Sequence, residues 1–201
     1  MSRLGNELCS NGYRRAPFVG EQMRTVLFSG ALLVCFVPLY GTTLQQLSLD
    51  DMIRKSTEIV RGKVQCTGSA FRGATLYTNY RVQVSEQWKG TPAVQLDIAI
   101  PGGLSGVVRQ TYSGSPVLSD GQEFVLFLWT SKSGLRQIIG LSQGLFNLQP
   151  LASGVWMASR AASTEQMVGP SGQLVQDTAL AMPLGDLRAK VLNTLAGRIS
   201  Q

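Results

Sequence analysis

Between residues 58 and 100, hydrophobic and polar positions alternate with a period of two, which is typical of strands that bury one face. The alternation covers residues 58–66, 75–88 and 94–100, and short polar turns separate the three segments. This arrangement predicts an antiparallel meander. The positions predicted to face inward are Val60, Gly62, Val64, Cys66, Leu76, Tyr80, Val82, Val84, Trp88, Val94, Leu96, Ile98 and Ile100.

Further along the chain, residues 123–129 form a continuously apolar run, which favours a central strand covered on both faces. Shorter strands are predicted at residues 107–112, 135–139, 145–148 and 155–157. The glycine-rich residues 101–106 are predicted to break the sheet. The rest of residues 150–182 is small, polar and weakly patterned, and is predicted to be loop.

A helix is predicted at each end of the strand series. Ser48 precedes an apolar pattern that ends near Ser56, and its hydroxyl is suited to capping a short helix. The second helix is predicted to run from Asp186 to Gly197. Together these elements predict a mainly β fold, a small antiparallel OB-like β-barrel of about five or six strands with a short N-terminal and a C-terminal helix. A flat sandwich is the alternative.

Residues 1–41 differ from the rest of the chain. Met23-Arg24 is followed by an apolar run that ends before Gly41. A basic start, an apolar run of this length and a small residue are typical of a secretory signal peptide. We therefore expect export, secreted or periplasmic, with cleavage after Gly41 and a single domain over residues 42–201. Translation can begin at Met1 or Met23, and an uncleaved membrane anchor or a buried core helix are the alternatives for the apolar run.

Removal of this leader changes both the charge and the cysteine count. The whole chain has 18 basic and 12 acidic residues, and the leader holds four of the basic and two of the acidic ones, so the remainder keeps a net charge of +4. That excess is small and scattered, and it does not by itself indicate a polyanionic partner. Of three cysteines only Cys66 remains, which predicts a domain without an internal disulfide and a thiol that packs as a small hydrophobe.

The absence of histidine excludes whole classes of chemistry. Neither a Ser-His-Asp nor a Cys-His pair can form, and the usual zinc sites that contain histidine are excluded as well. Residues 140–144 match the G-x-S-x-G nucleophile motif, but both flanks are predicted to be extended, so a glycine-rich turn between strands is the better interpretation. The carboxylates within predicted strands, Glu86 and Asp97, are interpreted as rim or surface charges.

Basic and aromatic side chains that fall close together in sequence are the candidate binding residues. Arg72, Tyr77 and Arg81 accompany the second predicted strand, and the last two share its outward face. Arg109 and Tyr112 belong to the segment after the glycine-rich break. Interleaved arginines and aromatics on a small barrel suit single-stranded nucleic acid, although a solvated face is the simpler interpretation.

Three segments of the chain carry a resemblance to a known family. Ser56–Val64, Tyr80–Gly90 and Gly121–Leu128 are similar to the strand series of netrin-like and tissue-inhibitor-of-metalloproteinase-like domains. The chain resembles even more closely a group of uncharacterised exported bacterial proteins, which carry the same series and end in a segment like Gly140–Phe146. This resemblance covers residues 48–148 and implies an OB-type barrel. The zinc-chelating mechanism of the animal inhibitors does not carry over, because the predicted mature chain does not begin with cysteine.

The expected function is therefore that of an exported, non-catalytic β-barrel module that binds a protein or a surface component through its loops. No catalytic, cofactor-binding or metal-binding residue is predicted, and membrane contact is expected only through an uncleaved leader. Two alternatives remain open, a hydrolase that uses Ser142 or the carboxylates with an unusual base, and an OB-type nucleic-acid binder.

Overall fold

The computed structural model describes residues 43–197 of the chain. The predicted leader, both candidate start sites and the cleavage point after Gly41 lie outside the described residues. Neither helix in the described part is long and apolar enough to cross a membrane.

Thirteen strands and two helices make up the described chain. In chain order they are β1 (Leu44–Gln45), α1 (Leu49–Lys55), β2 (Glu58–Arg72), β3 (Thr75–Lys89), β4 (Gln95–Pro101), β5 (Gly103–Ser105), β6 (Val108–Gln110), β7 (Glu123–Thr130), β8 (Arg136–Ile138), β9 (Leu145–Pro150), β10 (Trp156–Arg160), β11 (Met167–Val168), β12 (Leu174–Val175), β13 (Leu180–Pro183) and α2 (Leu184–Ala196).

One large antiparallel sheet carries the architecture, in the order β13-β10-β9-β7-β2-β3-β4. β8 and β9 share one edge of β7, where β9 pairs with Phe124–Leu126 and β8 with Leu128–Thr130. Two smaller units accompany the sheet, the β5–β6 hairpin and a set of two-residue strands in which β1 runs parallel to β11.

The mainly β fold with a helix near each end of the described chain is confirmed, whereas the number and closure of the strands are corrected. There are thirteen strands rather than about five or six, and the sheets are open. β4 and β8 pass close to each other, at the place where a barrel would close, but no ladder joins them. β8 has only three residues, so it cannot offer β4 a continuous row of backbone partners.

Side chains on the two faces of β7 divide the core into two clusters. Phe124, Leu126 and Leu128 belong to the inner cluster, which is built mainly from β2, β3, β4 and β7. Val125 and Phe127 belong to the helix-side cluster, which includes buried residues of α1 and α2. The prediction of a central strand covered on both faces is confirmed.

The helix ends follow local sequence rules. Ser48 caps α1 as predicted, because its Oγ accepts a hydrogen bond from the backbone nitrogen of Asp51 at 3.0 Å. α1 ends at Lys55, close to the predicted position. α2 begins at Leu184 instead of Asp186, with Pro183 before it, and the proline has no side chain that can cap the helix.

Three local expectations are corrected. Val94 was expected to face inward, but β4 begins one residue later and Val94 is 83% exposed. Residues 101–106 do not simply break the sheet, because they contain β5, which pairs with β6. Cys66 is not a lone thiol but is disulfide-bonded.

Candidate functional site

The G-x-S-x-G motif forms a tight turn between β8 and β9, at residues 139–144. Gly140 has a φ of +61°, and Leu141 has a φ of 59°, a left-handed conformation that is uncommon for leucine. A Cβ atom at Gly144 would lie 2.9 Å from the backbone oxygen of Phe127. The turn itself therefore requires both glycines, and the predicted connection between strands is confirmed. It is not the strand-to-helix elbow that exposes a nucleophile.

Gln143 holds this turn against the N-terminal part of the described chain. Its side chain is fully buried. Oε1 accepts a hydrogen bond from the backbone nitrogen of Leu47 at 2.8 Å, and Nε2 donates to the backbone oxygen of Gln45 at 3.0 Å. The turn thus has a fixed position, from which Leu141 lines one cavity and Ser142 another.

The apolar cavity, of about 220 Å³, lies where β4 passes β8. Ile100 of β4, Ile138 of β8 and Trp129 of β7 line it, together with Pro116 and Leu141. The Trp129 side chain is exposed although it is large and apolar. A cavity with this lining favours an aliphatic or aromatic group over a charged one.

The polar cavity, of about 310 Å³, lies next to the apolar one, and Pro116 lines both. Its lining includes Ser115, Ser142, Asn147 and Arg160. We call the two cavities together the recess. Their sizes suit a small ligand or a few residues of a polypeptide.

Arg160, the last residue of β10, is the buried cation of the polar cavity. Its Nη1 and Nη2 donate to the two carboxylate oxygens of Asp177, the second bond being 3.0 Å long. Burial on its own would raise the pKa of Asp177, but hydrogen bonds from Arg160 and from the backbone of Ser163 outweigh burial and lower the pKa. Arg160 and Asp177 therefore form an ionised pair that is neutral as a whole.

Two buried polar atoms of the polar cavity have no hydrogen-bond partner, Arg160 Nε and Ser115 Oγ. Only one other buried side-chain polar atom in the described chain is in this state, Arg61 Nε, and it lies 3.0 Å from an oxygen of Glu123. An unsatisfied buried donor costs about 1–3 kcal/mol, so such atoms call for a physical explanation. Both residues line the polar cavity, but the two atoms themselves have almost no solvent exposure, so a bound acceptor reaches them only if neighbouring side chains move.

The polar cavity is rich in donors without carrying a positive charge. Asp177 neutralises Arg160, and Glu165 adds a negative charge whose Oε1 accepts a hydrogen bond from Ser113 at 2.8 Å. A neutral carbonyl or hydroxyl oxygen fits this balance better than a free anion does. Ser142 also lines the cavity, but the chain has no histidine to act as its base.

Four of the five predicted binding residues come together at another place, which we call the hairpin end and define as residues 66–80 and 98–112. Arg72 is the last residue of β2, and Tyr77 lies in β3 opposite Pro101. Arg109 lies in β6, and Tyr112 follows that strand with an exposed side chain. These four residues come from two hairpins, β2–β3 and β5–β6, that contact each other.

The fifth predicted residue, Arg81, lies further along β3, where its Nε is 3.0 Å from an oxygen of Asp97. The Asp97 side chain is largely exposed, in agreement with its interpretation as a surface charge. None of the five predicted residues lines the recess. Sequence reasoning missed Arg160, Ser115 and Trp129. Among the motifs considered for function, the one that contains Ser142 lies in the recess.

Glu86, the other carboxylate considered in the sequence, belongs to a network that connects α2 to the sheet. Arg61 Nη1 donates to Glu86 Oε1 at 2.8 Å, and Arg188 Nε lies 3.3 Å from Oε2. Burial alone would raise the pKa of Glu86, but hydrogen bonds from Trp88 and Arg61 outweigh it and lower the pKa. A lowered pKa does not suit a general acid, and the contacts of Glu86 with Arg61 and Arg188 connect α2 to the sheet.

Within residues 43–197, no group of three or more histidine, cysteine, aspartate or glutamate side chains is arranged to hold a metal ion. Comparisons of the chain with models of protein families, with characterised proteins and with solved structures found no match. The recess and the hairpin end are therefore the features from which a function can be inferred.

Proposed function

We propose that this chain is an exported, non-catalytic binding module that holds an extended segment of a partner protein in the recess. The observation that carries the proposal is the position of an apolar cavity beside a polar one whose lining includes Ser115, Ser142, Asn147 and Arg160. A polypeptide offers both matching chemistries at neighbouring positions, because its carbonyl oxygens are acceptors and its side chains can be apolar. The polar cavity carries no excess positive charge, so it suits a neutral peptide carbonyl better than an anion.

A surface glycan is the competing class of ligand, since its hydroxyls can also meet the donors of the polar cavity. The apolar cavity favours the polypeptide. This cavity, lined by Ile100, Ile138 and Trp129, fits an aliphatic or aromatic side chain. A simple sugar ring carries no such side chain.

Export is part of the proposal, and it is supported by the leader pattern, since a basic start, an apolar run and a small residue are typical of a secretory signal peptide. The disulfide at Cys66 distinguishes a cleaved leader from a retained one. The other cysteines of the chain, Cys9 and Cys35, precede the expected cleavage point after Gly41. A chain that begins at Thr42 therefore cannot keep an intramolecular disulfide at Cys66. Peptide mapping of the exported protein without reduction separates a cleaved leader from a retained one.

Kinship with the netrin-like and tissue-inhibitor-of-metalloproteinase-like domains remains part of the proposal as well. It is supported by the similarity in sequence of Ser56–Val64, Tyr80–Gly90 and Gly121–Leu128 to their strand series, and these segments fall mainly in β2, β3 and β7.

Matched tryptophan variants test the recess. Trp129 and Trp156 are similarly exposed, at 38% and 36%, but only Trp129 lines the recess. We expect Trp129→Ala to lower the capture of a partner from periplasm or culture medium about tenfold, as for an aromatic anchor, and Trp156→Ala to leave it unchanged. Quantitative mass spectrometry of the captured proteins measures both, and a synthetic segment of the partner is then titrated at ~10 μM.

Equal losses in the two variants, or no loss in Trp129→Ala, would show that the recess is not the binding site. A purified surface glycan that displaces the partner from the unchanged protein, and binds in its place, would overturn the assignment to a polypeptide. The hydrolase alternative predicts turnover in a broad activity screen that disappears in Ser142→Ala or Asp97→Asn.

A further inference from the structure

The hairpin end carries apolar side chains that protrude into solvent. Val107 lies at the turn of the β5–β6 hairpin and is 100% exposed, and Phe71, beside the β2–β3 turn, is 47% exposed. Val108 and Tyr112 are exposed as well. Apolar groups on protruding turns are hydrated at a free-energy cost, which burial against another apolar phase removes.

Gln110 connects the two hairpins into one surface. Its Oε1 accepts a hydrogen bond from the backbone nitrogen of Leu76 at 2.6 Å, and its Nε2 donates to the backbone oxygen of Ala74 at 3.1 Å. Thr78 adds a third link, since its Oγ1 donates to the backbone oxygen of Gly102 at 2.8 Å. The protruding side chains of the two hairpins are therefore presented by a single, hydrogen-bonded unit.

The charge at this end of the molecule is one-sided. Arg72 and Arg109 are exposed there, and residues 66–80 and 98–119 contain no aspartate or glutamate. Three acidic side chains border the region: Asp97, which pairs with Arg81, Asp120, which accepts a hydrogen bond from the backbone of Cys66, and Glu165, which accepts one from Ser113. The surface that protrudes is thus both apolar and basic.

We propose that the hairpin end docks on an anionic phospholipid surface, with Val107 and Phe71 in the interfacial layer and the arginines against lipid phosphates. Guanidinium groups match phosphate oxygens in geometry and charge. Apolar insertion and basic attraction are the two signals that peripheral membrane binding combines. A fully exposed valine at the tip of a hairpin is convex, so it fits a fluid interface better than a preformed groove on a protein. Val107, Phe71 and the two arginines do not line the recess, although Ile100 and Pro101 of the hairpin end do.

Vesicle binding by the full chain and its variants tests this proposal. The probe is a set of vesicles of phosphatidylcholine, with and without phosphatidylglycerol, and the measurement is the fraction of protein that floats with them. We expect Val107→Asp to lower binding to anionic vesicles about tenfold, because it removes apolar surface and adds a negative charge. Val94→Asp is the matched control, since Val94 is 83% exposed but lies outside the hairpin end, and it should leave binding unchanged.

The electrostatic part is measured with Arg72→Ala. Removal of one basic residue near an anionic surface is expected to weaken binding about fivefold on anionic vesicles and not at all on neutral ones, and added salt should erase the difference. The leader is common to all variants, so its own affinity for lipid cancels in each comparison. Equal binding of Val107→Asp and Val94→Asp would overturn the proposal. The proposal would also be overturned if a partner protein required Val107 for binding and vesicle binding did not require it.

Discussion

The two faces of β7 are both apolar, but the clusters that cover them differ in how completely they are enclosed. The helix-side cluster is closed, since Phe127 and Phe146 are fully buried with their ring centroids 5.5 Å apart and residues of α1 and α2 pack in the same cluster. The inner cluster is open along one edge, because β4 and β8 form no ladder, and the apolar cavity lies at that edge. Both clusters are deeply buried, but the inner one ends at a sheet edge without backbone pairing, and the recess lies there.

The strongest way to test this contrast is to create a void in the closed cluster. Phe127→Ala should lower the free energy of unfolding by about 3–5 kcal/mol, because a fully buried ring is lost and its surroundings cannot collapse completely. Urea denaturation followed by circular dichroism measures the change. Trp129→Ala, two positions along the same strand, should cost under about 1 kcal/mol because its side chain is exposed. By the period of two, Trp129 shares the helix-side face of β7, so the pair compares a buried with an exposed position, and similar losses in both would show that burial does not set the cost.

A smaller effect is expected from the ion pair beside the recess. Asp177→Ala should cost about 3 kcal/mol, since it leaves the buried Arg160 charge without its partner. Asp97→Ala is the matched control, because its pair with Arg81 is also an Arg–Asp pair but is exposed to solvent, and it should cost under about 1 kcal/mol. Chemical denaturation of the two variants compares a buried and an exposed ion pair directly.

Acid sensitivity gives this prediction a second readout. The pKa of Asp177 is lowered in the folded state, so the unfolded chain binds more protons as the pH falls. Stability should therefore be constant above about pH 5 and should fall progressively below it, towards the lowered pKa. Asp177→Ala should flatten this part of the profile. A profile with the same acid slope in the variant would show that other carboxylates cause it.

The smallest expected change is at Ser115. Its Oγ is buried without a hydrogen-bond partner. Ser115→Ala should therefore leave the free energy of unfolding unchanged or raise it by under about 1 kcal/mol. The same variant should weaken partner binding, as expected where a binding site is kept at a cost to stability. Calorimetry and titration of the partner segment measure the two effects. A clear loss of stability would show that the hydroxyl serves the fold instead.

Periodicity predicted the parts of the fold in which a strand is long and half-buried. Tyr80 and Val82 on β3 are buried as the period of two requires, and the apolar run of β7 is covered on both faces. β11 and β12 have two residues each, and no alternation can be read from so few positions. Closure of a barrel depends on whether two distant edges meet, which local patterns do not encode.

The candidate site was far less accessible to sequence reasoning than the fold. Arg160 and Asp177 are separated by a weakly patterned segment, and only the pairing of β10 with β13 makes their proximity understandable. Ser142 was noticed because of its motif, yet its glycines serve the turn and its hydroxyl lines a cavity. The arginines and aromatics of the hairpin end were found because hairpin neighbours are also neighbours in sequence.

The buried amide of Gln143 has a mechanical consequence. It bonds to the backbone of Gln45 and Leu47, beside the short parallel pairing of β1 with β11. A force that pulls on the chain ahead of Leu44 therefore acts first on the segment before β11, to which Leu44 bonds, and then through Gln45 and Leu47 on the turn at residues 139–144. Because that turn lines both cavities, tension at this end of the described chain would reach the recess before it reached the core.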